Sequence, residues 1–209
     1  MENKYKELAD FEFNEIDINL KETEFIKEYS NLNFNGFFFV KTVKTDNLRL
    51  KEYLNSVNKN RSGFERKAPF EIATDDAKDF IFNFIKNKSL KKLHLSFYKD
   101  DDFVSITQEY NSLEDFRKVP IFDINIKQLK KQLYEIAKRG SLYKHWNLSD
   151  SFTNKIISDF INILFDNKKC MIFKLADWSG FDEGLYEGFM LINLNTTQIT
   201  FFAKDEYFG

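Results

Sequence analysis

The sequence predicts an α+β fold, a mostly antiparallel sheet with several packed helices, in a single domain over residues 1–209. Three observations predict it. Helical and strand periodicities follow one another in mixed order along the chain. At least two pairs of strands are separated by polar gaps of hairpin length. Consecutive strands are often too close in sequence for a crossover helix, which disfavours a doubly wound parallel sheet. No period of 20 to 50 residues repeats and no Gly/Ser/Pro-rich linker divides the chain; an internal boundary, if there is one, falls in the loop 140–149.

In order along the chain, residues 11 to 18 alternate as a half-exposed strand, with Phe11, Phe13, Ile16 and Ile18 as the apolar set and a register break at Asn14-Glu15. Phe25, Ile26, Tyr29 and Leu32 recur at helical spacing; Asn35-Gly36 stops that helix and Phe37 to Val43 runs extended. Asp46 is placed to cap a helix carrying Leu50, Tyr53, Leu54 and Val57 on one face. Phe64 to Ile72 reads as a strand that Pro69 confines to an edge or breaks. Thr74 followed by Asp75 and Asp76 opens a helix whose stripe is Ala77, Phe80, Ile81, Phe84 and Ile85.

From Leu90 the pattern turns to period two, with Leu93, Leu95 and Phe97 alternating against Lys92, His94 and Ser96; Phe103 to Ile106 follows across a polar gap, so a hairpin is expected. Asn125 and Gln128 form a capping box before Ile126, Leu129, Leu133 and Ile136, and Gly140 closes that helix. Ser149 and Asp150 open another, in which Phe152, Ile156, Phe160, Ile163 and Leu164 share a face. Three apolar runs end the chain, from Cys170 to Phe173, Phe189 to Leu194 and Ile199 to Ala203. Asn195 to Gln198 joins the last two into an antiparallel hairpin.

Composition narrows the function classes. A chain of 209 residues can bury a core without staples, and its single cysteine, Cys170, in an apolar run, reads as a small buried hydrophobe in a reducing compartment. His94 and His145 stand far apart with no cysteine or carboxylate at ligand spacing, so neither a metal nor any other cofactor is expected. The 25 phenylalanines are first of all core filler. A charged start and the absence of any long apolar run argue against a signal peptide or a membrane partner and for a cytoplasmic protein. A net charge of −2 argues against direct nucleic-acid binding.

No motif names a reaction, so no catalytic residues are expected. Asp46 with Glu65-Arg66-Lys67 imitates a metal-nuclease pattern, but Glu2-Asn3-Lys4 matches the same tripeptide at a chain end. Asp100-Asp101-Asp102 lacks the alternating spacing that lets carboxylates converge on a cation and suits a polar turn. His145 beside Tyr143 and Trp146 lacks a nucleophile and reads as a semi-buried aromatic loop.

Charge is distributed more informatively. Between Lys127 and Lys144, six cations stand against Glu135, a net of +5; from Leu175 to Gly209, six acids stand against Lys204, a net of −5. Either the two segments face each other or water, or the acidic one docks a basic protein, with Trp178, Phe181, Tyr186 and Tyr207 as aromatic anchors and the carboxylates steering association. On the docking reading the contacts are Asp177, Trp178, Asp182, Glu183, Tyr186 and Glu187.

An acidic aromatic loop followed by the terminal hairpin Gly188 to Phe202, in a small α+β chain, resembles bacterial immunity proteins of the polymorphic-toxin systems. That resemblance implies neutralisation of a cognate toxin by binding, often over its active site, and assigns no residue. The expected function is thus a non-enzymatic protein-binding inhibitor. The alternatives are a phage or defence-system protein that binds a nucleic-acid enzyme, and an enzyme of an unrecognised family.

Overall fold

Met171, Ile172 and Phe173 are all fully buried, which a strand achieves only when both faces of its sheet are covered. The computed structural model describes residues 4–33, 36–61, 71–93, 112–165, 169–175 and 187–206. Its strands are β1 (Asn14–Ile16), β2 (Gly36–Lys44), β3 (Glu71–Ile72), β4 (Ile121–Ile124), β5 (Cys170–Leu175), β6 (Glu187–Asn193) and β7 (Gln198–Glu206). They form one seven-stranded sheet in the order β1-β2-β7-β6-β5-β4-β3, every described pairing antiparallel. The α+β class is therefore the class of the molecule.

The described helices are α1 (Glu24–Ser30), α2 (Arg49–Asn60), α3 (Asp75–Ile85), α4 (Lys88–Lys92), α5 (Leu113–Arg117), α6 (Ile126–Arg139) and α7 (Asp150–Leu164), with short 3-10 turns at Lys6–Asp10 and Leu20–Glu22. They divide between the two faces of the sheet. On one face Leu50, Leu54, Phe80, Phe84 and Phe116 pack with Met171, Phe173, Met190, Ile192 and Phe201. On the other Phe25, Tyr29, Leu133, Ile157 and Phe160 pack with Ile172, Phe189, Leu191 and Phe202. Successive residues of each central strand thus feed opposite cores. Phe202 shows what the phenylalanines do: its ring lies 5.5–6.4 Å from those of Phe25, Tyr29, Phe38, Phe160 and Phe189. Among the described residues no helix is long and apolar enough to cross a membrane.

Local chemistry sets the boundaries. Thr74 and Ser149 accept from the backbone N–H groups of Ala77 and Phe152, starting α3 and α7. The capping box of α6 is complete: Asn125 Oδ1 accepts from Gln128 N at 2.9 Å, and Gln128 Oε1 from Asn125 N at 2.7 Å. In the β6–β7 hairpin Asn193 Oδ1 accepts from the backbone of Asn195 and Thr196 while its amide nitrogen donates to Leu164 O, tying the turn to the end of α7.

Several sequence expectations are corrected. Asp46 does not cap α2; Leu48 occupies the cap position, 85% exposed and without a side-chain cap, and Asn47 Oδ1 accepts from Arg49 N instead. Leu90, where the period-two pattern was expected to start, is in helix α4, and residues 94–111 lie outside the described residues. Phe152 and Ile163 are exposed; α7 buries Thr153, Ile156, Ile157, Phe160, Ile161 and Leu164, a stripe rotated from the one expected because the sheet, not the richest apolar face, sets its direction. Cys170 is half-buried. Strand β4 and helix α5 were not anticipated at all.

Candidate functional site

Asp177, Trp178, Asp182, Glu183 and Tyr186 lie outside the described residues, as do Glu65-Arg66-Lys67, His94 and Asp100-Asp101-Asp102. Glu187 opens β6 with its backbone opposite Lys204. What the structure defines is the platform from which the connection 176–186 leaves. Its ends are the last residue of β5 and the first residue of β6, two strands near the middle of the sheet, paired at Leu175 and Gly188.

Beside that exit lies a buried ion pair. Lys204 Nζ stands 2.6 Å from Glu206 Oε2, and both side chains are 1% exposed. A charge pair this deep carries a desolvation cost that it offsets only with good geometry and further hydrogen bonds. Glu206 gains one from outside the sheet: Leu142 N donates to its Oε1 at 2.7 Å. The carboxylate therefore pins the loop that follows α6 to the end of β7. Lys204 and Glu206, counted at the sequence level with the acidic stretch, neutralise each other in the interior.

The pinned loop is tightly built. Gly140 closes α6 at φ 72°, and a Cβ there would meet Lys144 O at 2.6 Å, so a side chain is excluded by space as well as by backbone conformation. Ser141 Oγ donates to Leu32 O at 2.5 Å and accepts from the backbone N–H groups of Tyr143 and Lys144. Trp146 is buried, its Nε1 donating to Thr153 Oγ1 at 2.8 Å. Leu142 and Tyr143, by contrast, are turned outward, 44% and 65% exposed. His145 is exposed too.

The basic segment engages its neighbours in the helical layer. Lys138 pairs with Asp150 at 2.8 Å, Lys131 with Glu135 at 3.6 Å, and Lys130 donates to Ser158 Oγ. Among the described residues no three or more His, Cys, Asp or Glu side chains are grouped to hold a metal ion. Comparison of the chain with protein-family models, with curated proteins and with solved structures gives no match.

Proposed function

We propose that this protein is a non-enzymatic binding protein that occludes a basic partner, most concretely an immunity protein that neutralises a cognate bacterial toxin in the cytoplasm. Its contact surface is the acidic, aromatic connection between β5 and β6 together with the neighbouring loop at Leu142 and Tyr143. The observation that supports this reading is that a buried carboxylate on β7 pins the backbone of the loop carrying the exposed Leu142 and Tyr143 at the same sheet end from which the acidic connection leaves. A loop whose backbone is already pinned loses less entropy on docking, and the acids of the connecting sequence favour a cationic surface.

The test is binding. The partner captured from the native host is purified and its affinity measured against the unaltered protein and against Asp182→Lys with Glu183→Lys. The double charge reversal weakens binding by about tenfold or more. Tyr143→Ala weakens it as well, and Tyr143→Phe restores it. Unchanged affinity in both the reversal and the alanine variant removes this surface from the function.

A further inference from the structure

At the opposite end of the same central strands lies an open groove of about 640 Å3 between α2 and the start of β5, lined also by Leu194 and Asn195 of the β6–β7 turn. Lys51, Asn55 and Asn58 face it from one side of α2, one and two turns apart, and Lys169 and Asn195 face it from the sheet. All five carry hydrogen-bond donors, two are cations, and no carboxylate is among the described residues that line it.

The described lining of this groove thus holds two cations and no carboxylate, whereas several cations elsewhere stand in ion pairs. Lys4 stands against Asp76, Lys88 against Asp10, Arg117 against Asp79 and Lys138 against Asp150. The side chains of Lys51, Asn55 and Lys169 have no ion-pair or hydrogen-bond partner among the described residues. Next to the groove's Asn58 and Cys170, the half-buried Arg61 holds Asp123 through two bonds, Nε to Oδ2 at 2.6 Å and NH2 to Oδ1 at 2.5 Å. The same guanidinium donates through NH1 to Cys170 O at 3.2 Å and to Asn58 Oδ1 at 3.3 Å. Asn58 Oδ1 thus accepts from Arg61, and the Asn58 N–H pair has no partner among the described residues.

From these contacts we infer that the groove is a binding site for a small phosphate-bearing ligand. Lysine ammonium groups are point-charge partners for phosphate, and amide N–H groups supply neutral donors to the remaining oxygens. The volume falls within the range of about 300–1,000 Å3 taken by small-molecule sites, and the two lysines and three asparagines that line it beside Cys170 and Leu194 suit an anion. The site is independent of the contact surface at the other end of the sheet.

The experiment is an NMR titration of the full chain at physiological salt, following the side-chain amides of Asn55, Asn58 and Asn195 and the backbone amides of Lys169 and Leu194. Inorganic pyrophosphate, ATP and adenosine are the probes. Saturable shifts at the groove with pyrophosphate and ATP, and none with adenosine, are expected. Equal affinity for the two phosphates identifies free polyphosphate as the ligand type, and tighter ATP binding a nucleotide; both support the site. Lys51→Glu with Lys169→Glu weakens binding by about tenfold or more, and Lys51→Gln with Lys169→Gln by less; both substitutions are at exposed positions, so thermal unfolding stays unchanged. No saturation at millimolar phosphate, shifts centred elsewhere, or affinity unchanged in the charge-reversed variant would each overturn the inference.

Discussion

Tyr5 is fully buried, its ring set edge-on to Tyr53 and Phe80 at 5.2 and 5.7 Å and its hydroxyl donating to Asp76 Oδ2 at 3.0 Å. Asn60 donates to the same oxygen, and Lys4 stands 2.5 Å from the other. One carboxylate in the first turn of α3 thereby holds the start of the chain and the end of α2. Burial would raise the Asp76 pKa, but hydrogen bonds from Lys4, Asn60 and Tyr5 outweigh it and the net direction is down. Burial pushes the Tyr5 phenol up from 10.0 to about 12. Because the folded state prefers the protonated phenol, its contribution is fully present below the unfolded value of 10.0 and is lost as pH climbs toward about 12. Thermal unfolding followed across that window should show an alkaline loss of stability that Tyr5→Phe reduces. The variant is also about 1 kcal/mol less stable near neutral pH, having lost one donor to Asp76. An alkaline limb identical in both proteins contradicts the assignment. Asp76 was legible in the sequence as a helix-start acid; its partners at positions 4, 5 and 60 were not, because nothing local joins them.

At the scale of elements, what the sequence revealed was whatever local chemistry determines. The Asn125 and Gln128 pair was visible as a capping box and is one, so Asn125→Ala should cost about 1 kcal/mol and lower the melting temperature by about 2–4 °C. Circular dichroism melts check this, and an unchanged melt would show that α6 is held by packing alone. The hairpin of β6 and β7 and the starts of α3 and α7 were legible for the same reason. Strand β4 was not: Ile121, Asp123 and Ile124 are all buried, so no period-two alternation marks it, and Asp123 is an acid whose partner, Arg61, lies at the end of a distant helix. Read from Leu90, the alternating pattern starts too early, because a five-residue helix is too short to outweigh it there. Nor did the stripe of α7 announce its true direction, since Phe152 and Ile163 are as apolar as the residues it buries.

At the scale of the molecule, strands far apart in sequence meet in the middle of the sheet. Residues 36–43 pair with 199–206, and Thr42 and Thr200 share a buried hydrogen bond of 2.8 Å. No local pattern encodes such pairing, and both surfaces discussed above depend on it. The acidic connection was legible as composition. The loop that accompanies it was not, because the tie between Leu142 and Glu206 exists only once β7 is in place. The groove was hidden for a similar reason: its lysines and asparagines are ordinary surface residues until α2, β5 and the terminal hairpin bring them around one space. The strand ends at Leu175 and Gly188, from which the connection leaves, lie opposite the groove end at Cys170 and Asn193, so the two proposed surfaces are tested separately. Hydrogen–deuterium exchange on the complex with the captured partner tests the central claim most directly. Residues 141–143 and 176–187 should exchange more slowly in the complex while α2 and the hairpin tip at 194–197 keep their free rates; protection confined to the groove end, with 176–187 unchanged, would contradict it.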